Sequence, residues 1–445
     1  MSLKDDFEIF TDKLKPDNIS DMETTAGEIA KKLNKSYYDL DSDSDTHMYI
    51  VGSVGRGTSI KGVSDLDLLF DLPSEKYTQF NNYSGNGQSA LLQEVKNVLK
   101  EKYPKTDISG DGQVVVINFT KYTVELVPGF KQSDDRFKYP DTNDGGSWKY
   151  TDPLPEKEES KNTADDTDNN FIYIANMLRA WKNKQGFKFG GLLIDTLTYN
   201  FLNAEDDYRN IGFSDYFKMI KALFNYLKGL DKNQSYWFAL GSNQHVYNCD
   251  SGKFVTKAEK AYKKIKDLDE DDDDVNKELR SIFGNKFPKK QTQTNEAFAS
   301  INSRQGGYST EEFIEDFFPV DIKYDLEIDC DIKEKGRFLT ILSKLLNSNR
   351  YLRVEKQLKF YISNTDIDFS TGEYSIYWKV KNNGPIAKSR HMERGQIKLT
   401  NSQEQREHSD FIGEHFVECY VVKNGVCVAR AHIDVPISNY EYIMG

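Results

Sequence analysis

Two aspartates stand two residues apart in the run Ser64-Asp-Leu-Asp-Leu-Leu-Phe70. The apolar residues around Asp65 and Asp67 read as a strand, and on a strand the side chains at i and i+2 share a face. Two carboxylates so placed converge on one spot, and clustered hard oxygen donors suit Mg²⁺, with Mn²⁺ as a substitute. A third acid is needed to complete a two-metal site and to prepare an attacking hydroxyl. Glu125, in Thr123-Val-Glu-Leu-Val-Pro128, is the candidate. A lone Glu between Val and Leu is costly to bury unless something pairs with it. About twelve residues before Asp65 lies Gly52-Ser53, in Val51-Gly-Ser-Val-Gly-Arg-Gly-Thr58. There backbone amides and a hydroxyl can approach a triphosphate closely, and the next turn reads as the start of a helix whose N-terminus favours anions. Asp-x-Asp alone occurs in many loops, where the aspartates cap a helix, and Glu125 alone fits a water-facing strand residue. The ordered set of strand, Gly-Ser, Asp-x-Asp strand and later acid is what favours the metal reading.

These residues need a sheet to hold them. Residues 48–51, 66–72, 114–119 and 122–127 read as short strands, and residues 88–100 as a helix with Leu91, Leu92, Val95 and Leu99 on one face. Residues 4–35 read as two helices divided at Pro16. Residues 131–168 are rich in Asp, Asn, Gly, Lys and Pro and read as a long loop. Helices then dominate to about residue 284, one of them carrying Ile174, Met177, Leu178 and Trp181 on one face. Residues 289–309 are polar and aperiodic, as a linker is. Beyond them, residues 357–363, 374–380, 396–399, 416–422 and 426–435 read as the strands of a β-sandwich. The expected fold class is α+β, with a core over 1–168, an α-helical lobe over 169–288, a linker over 289–329 and an all-β domain over 330–445.

The chain has 445 residues and a net charge of −12. Proteins that live by gripping a nucleic-acid backbone are expected to be basic, so the balance argues against a long nucleic-acid substrate. Charged residues make up 29% and the mean hydropathy is −0.69, so no membrane is expected as a partner. Met1 to Phe7 has no apolar signal-peptide core. The four cysteines all lie beyond residue 248, which suits a reducing cytoplasm better than a disulfide framework.

The Gly-Ser, Asp-x-Asp and third-acid pattern resembles the polymerase-β nucleotidyltransferase superfamily. Within it, Gly52 to Asp67 together with Glu125-Leu-Val-Pro-Gly-Phe130 resembles the bacterial cyclic-oligonucleotide synthases, also called second messenger oligonucleotide or dinucleotide synthetases. Met177-Leu-Arg-Ala-Trp-Lys182 is similar to a family helix in which a basic residue two before a Trp reaches the triphosphate, which puts Arg179 in that place with Lys182 beside it. Ile282-Phe-Gly-Asn-Lys-Phe-Pro288 resembles the end of the family's helical lobe. There are two departures: Glu125 stands where Asp is frequent, and Gly190-Gly191 stands where a serine is frequent. The tail segments Tyr377-Trp-Lys-Val-Lys-Asn-Asn-Gly384, Arg394-Gly-Gln-Ile397 and His415-Phe-Val-Glu-Cys-Tyr420 resemble the adenylyl/guanylyl-and-SMODS C-terminal sensor domain.

The resemblance implies a cytoplasmic, Mg²⁺-dependent enzyme that joins nucleoside triphosphates, ATP or GTP among them, into a cyclic di- or trinucleotide for anti-phage signalling. Asp65, Asp67 and Glu125 would be catalytic and metal-binding; Gly52, Ser53, Arg179 and Lys182 would bind nucleotide. It also implies an activating ligand on the tail and a downstream effector that reads the cyclic product. Three alternatives stay open: a template-independent transferase acting on RNA, transfer to a protein or small molecule, and a ligand-binding sensor with a degenerate site.

Overall fold

A computed structural model of the chain describes residues 2–290 and 311–440, apart from positions 42, 44 and 383. Most of the linker expected over 289–309 therefore lies outside the described residues. The chain divides into two compact units: Met1–Trp181 with Phe189–Pro288, and Lys182–Lys188 with Lys289–Gly445.

The first unit opens with α1 (Leu3–Leu14), started by a Ser2/Asp5 capping box, and α2 (Ile19–Tyr38). There follow β1 (Met48–Ile50), the single turn α3 (Gly52–Gly55), β2 (Asp65–Asp71), α4 (Ser74–Asn81), α5 (Gly87–Lys102), β3 (Asp107–Asp111), β4 (Val114–Asn118) and β5 (Thr123–Lys131). The sheet runs β1-β2-β5-β4-β3. Its β2–β5 pair is parallel and its other pairs are antiparallel. Met22, Ile29 and Leu33 of α2 and Leu91, Val95 and Leu99 of α5 join Leu66 and Leu68 of β2 and Val124 and Leu126 of β5 in one core. Each such side chain contributes about 1.5–3 kcal/mol on burial. That core fixes the strand faces: with Leu66, Leu68, Val124 and Leu126 inward, alternation turns Asp65, Asp67 and Glu125 to the opposite face.

Residues 131–168 are not the long loop the composition suggests. They contain β6 (Phe137–Asp141), β7 (Ser147–Thr151) and α6 (Pro153–Asp166). Hydrophobic periodicity misses α6 because its buried residues are Glu156, Ser160, Thr163 and Ala164. That face is held by hydrogen bonds instead: Ser160 donates to the Arg56 carbonyl at 2.7 Å and Ser242 to Glu156 at 3.0 Å. Then come α7 (Asn170–Gln185), α8 (Gly191–Ala204), α9 (Tyr216–Lys228), a hairpin of β8 (Tyr236–Phe238) and β9 (His245–Tyr247), α10 (Lys253–Ile265) and α11 (Val275–Phe283). Trp181 is fully buried, edge-on to Phe224.

The second unit holds two four-stranded antiparallel sheets. One runs through β10 (Leu326–Glu334), β11 (Arg337–Ile341), β12 (Gln357–Thr365) and β15 (Glu404–His408), in the order β11-β10-β12-β15. The other runs through β13 (Tyr374–Lys381), β14 (Ile397–Leu399), β16 (Gly413–Lys423) and β17 (Val426–Ile437), in the order β14-β13-β16-β17. Cys330 and Phe360 of the first sheet and Trp378, Cys419 and Ala429 of the second share one core. Strand β15, Glu-Gln-Arg-Glu-His, has no apolar residue to announce it; its backbone pairs with β12 in register from Gln357↔His408 to Tyr361↔Glu404. The described part of the 289–329 segment is packed chain. Ile314 is buried with Tyr420, Val422 and Cys427, and Val320 bridges to Cys427.

Candidate active site

Parallel pairing sets Asp67 opposite Glu125 and Asp65 opposite Thr123. Paired residues of neighbouring strands point to one face, so the three carboxylates share a small patch of the sheet, each partly exposed. The Gly52–Gly55 turn lies against this patch. The Val51 amide donates to the Asp67 carbonyl at 3.0 Å, and the Thr58 amide donates to the Ser53 carbonyl at 2.9 Å. Gly52 has φ +62°, and a Cβ built there would lie 1.8 Å from Oδ2 of Asp67. Backbone and carboxylate thus occupy the space a side chain would need. The helix expected after Gly52-Ser53 is one turn only, because the chain must turn back at Gly57 (φ +73°) toward β2.

The donor set fits a divalent cation: hard carboxylate oxygens from adjacent strands beside a backbone turn. Among the described residues, no three or more His, Cys, Asp or Glu side chains are closed into a ready coordination group.

Behind the turn lies a buried ionic clamp. Asp195 of α8 is fully buried, and its carboxylate accepts from four donors. Arg56 Nε lies at 2.8 Å and Thr58 Oγ1 at 2.9 Å, both on Oδ2; Arg179 grips both oxygens, at 2.7 and 3.0 Å. Arg179 also donates to the Gly191 carbonyl and to Thr58 Oγ1, each at 3.1 Å. Burial by itself raises the Asp195 pKa, but Arg179 and then Arg56 outweigh it and hold the carboxyl below its ordinary value. The clamp fixes the segment that carries Gly52 and Ser53 to α7 and α8.

Residues 1–163 match the family model for the Second Messenger Oligonucleotide or Dinucleotide Synthetase (SMODS) domain, and residues 308–438 match that for the Adenylyl/Guanylyl and SMODS C-terminal sensor domain. The chain thus carries a SMODS domain and a C-terminal sensor domain. A probable cyclic nucleotide synthase of Bacillus cereus (strain VD146) is 22% identical over 213 residues, spanning 42% of this chain and 63% of that protein. The chain thus matches less than two thirds of this curated relative's length. Escherichia coli MS115-1 CdnC, solved with ATP, has a TM-score of 0.50 at 16% identity, covering 65% of this chain and 99% of that one. That likeness supports the fold.

Within this SMODS site the predicted residues are placed differently. Gly52, Ser53, Asp65, Asp67 and Glu125 come together around β2 and β5. Arg179, expected at the triphosphate, is only 7% exposed and is engaged with Asp195, Thr58 and the Gly191 carbonyl. Lys182 is grouped with the second unit, where its ammonium lies 3.1 Å from Asp321. Arg56 is buried against Asp195. In the Gly190-Gly191 pair, the Gly191 carbonyl takes a bond from Arg179. Sequence reasoning missed Asp195, although the signal is there: one acid in Leu192-Leu-Ile-Asp-Thr-Leu197 needs a buried partner as surely as Glu125 does.

Proposed function

We propose that this SMODS chain joins nucleoside triphosphates, ATP or GTP among them, into a cyclic di- or trinucleotide. The observation that carries this reading is the pairing of Asp67 with Glu125 on parallel strands, with Gly52 packed against the Asp67 carboxylate. Asp65, Asp67 and Glu125 would hold divalent cations, Mg²⁺ or Mn²⁺, which would supply charge neutralisation at the phosphates and activation of the attacking hydroxyl. Gly52 and Ser53 offer backbone amides and a hydroxyl to the triphosphate, and Glu125 stands where it can orient the attacking hydroxyl. Arg179 acts through Asp195 and Thr58, keeping the Gly52–Gly55 turn in place; Lys182 belongs to the tail's machinery rather than to the phosphates. Attack of a hydroxyl of one nucleotide on the α-phosphorus of another forms a phosphodiester and releases pyrophosphate, and the last such attack, the second for a dinucleotide or the third for a trinucleotide, closes the ring. The ATP bound by the CdnC relative supports this substrate class. We place the enzyme in the cytoplasm, in anti-phage signalling, with an effector reading the cyclic product. Among the described residues no helix is long and apolar enough to cross a membrane.

Incubating the pure chain with four labelled triphosphates and Mg²⁺, or Mn²⁺ in parallel, tests this. A phosphatase-resistant product formed without any acceptor is expected. Label appearing on added RNA instead would make the chain a tailing enzyme.

A further inference from the structure

The second unit contains a cavity that the proposed transfer chemistry does not use. It opens at one end of the β-sandwich and has a volume of about 210 Å³. That is below the range of about 300–1,000 Å³ typical of drug-sized pockets, so a larger ring system would seat in it only in part. Its floor comes from both sheets: Leu358 and Phe360 of β12, and Val417 and Val435 of β16 and β17, each under 5% exposed. A well-packed sandwich core closes over such residues, whereas here they line a space. Phe411 and His415 form a wall, edge to face at 5.0 Å.

The mouth sets the ligand's polarity. Arg394 is held there by an ion pair with Glu407, and the backbone amide of Asn382 donates to its carbonyl at 3.3 Å. Its Nε is buried and, among the described residues, has no hydrogen-bond partner. A buried donor left unmade costs about 1–3 kcal/mol, so it is a standing demand for an acceptor. Glu407 already balances the guanidinium, while Glu393 and Asp410 add negative charge to the lining. Burial lowers the His415 pKa and Arg394 lowers it further, against a raising bond to the Phe411 carbonyl, so this imidazole is neutral at neutral pH. An anion would meet net negative charge, and a hydrocarbon would leave Nε unmatched.

We propose that this cavity is the ligand site of the sensor domain, and that it takes a small, uncharged, ring-bearing molecule that presents a hydrogen-bond acceptor to Arg394. The site stands on geometry; only its regulatory meaning rests on the reading of the chain as a gated synthase. The test uses the full chain and three fluorescent probes: Nile red, an uncharged fused ring with a carbonyl; pyrene, uncharged without an acceptor; and the anionic anilinonaphthalene sulfonate. Saturable one-to-one binding of Nile red with a blue-shifted emission is expected, with the anionic dye at least about tenfold weaker. Val380→Trp, which fills the cavity from β13, should weaken Nile red and pyrene alike. Arg394→Leu, on an exposed connection and so the variant least able to disturb folding, should weaken Nile red at least about tenfold and leave pyrene within about twofold. Melting temperature and near-ultraviolet circular dichroism check that each variant is folded. Absence of saturable Nile red binding, equal affinity for the anionic dye, or equal losses of both neutral probes in Arg394→Leu would overturn the proposal. None of these readouts depends on turnover. A chain that binds Nile red but makes no cyclic product would sink the synthase reading and leave the site standing.

Discussion

Gly52 has no room for a side chain. A Cβ there would lie 1.8 Å from the Asp67 carboxylate, on a residue whose φ is +62°. Gly52→Ala is therefore expected to displace Asp67 and to add roughly 1–2 kcal/mol of backbone strain. Nucleotide transfer should fall by about a hundredfold or more, with a melting temperature lower by a few degrees; wild-type turnover in this variant would dissociate the turn from the chemistry. Asp65→Asn and Asp67→Asn keep shape and remove charge. Each should lose at least about a hundredfold in transfer, the loss of several kcal/mol of cation-mediated charge stabilisation, while the fold stays intact by circular dichroism. Near-normal turnover by either variant would remove the carboxylates from the metal site.

At the scale of elements, the site depends on α8 as much as on the strands. Removing the Asp195 charge leaves Arg179 buried without its counter-ion and Arg56 with only Glu156, 3.7 Å away, a class of change that costs about 3–5 kcal/mol. Asp195→Asn should lower stability by that order in urea unfolding and should weaken transfer through the loosened Gly52–Thr58 segment. The sign of its pH dependence follows from the depressed carboxyl pKa. The unfolded chain takes up the proton near the ordinary value of 3.8 and the folded chain only below it. The stabilisation is therefore full at neutral pH and is lost as pH falls below that value and through the folded pKa. The gap between the variant and the parent chain should be widest near pH 7 and should narrow in acid; a gap that grows in acid would contradict the clamp.

At the scale of the whole molecule, α7 is continuous from Asn170 to Gln185, yet its last residues from Lys182 onward are grouped with the C-terminal unit. Within that unit Lys182 pairs with Asp321, and the Asn183 side chain donates to the Val320 carbonyl at 2.7 Å and accepts from the Ile322 amide at 3.1 Å. Ending the chain near residue 310 removes all three partners. The truncated protein should still bind triphosphate, but its basal transfer rate should change and its response to the natural trigger should vanish. Increased hydrogen exchange over 182–188 should accompany this. A truncated enzyme that kept both the trigger response and the protection of 182–188 would make the tail a docking module rather than a gate.

The chain's sequence by itself determined the chemistry of the strand face. Asp65-Leu-Asp67 alternates, so one face must be apolar and the other acidic, and the same holds for Glu125 between Val124 and Leu126. In the tail, Ile376 and Trp378 alternate in sequence and are both buried in β13. Where a long-range partner supplies the energy, sequence was a poorer guide. The buried face of α6 is polar because Arg56 and Ser242 satisfy it from distant parts of the chain. Strand β15 exists because β12 offers it a ladder of hydrogen bonds. Arg179 reads as a phosphate ligand because a guanidinium suits a phosphate and a carboxylate equally well. Only the tertiary structure reveals its carboxylate partner, bringing Asp195 within 2.7 Å of it in a place that water does not reach.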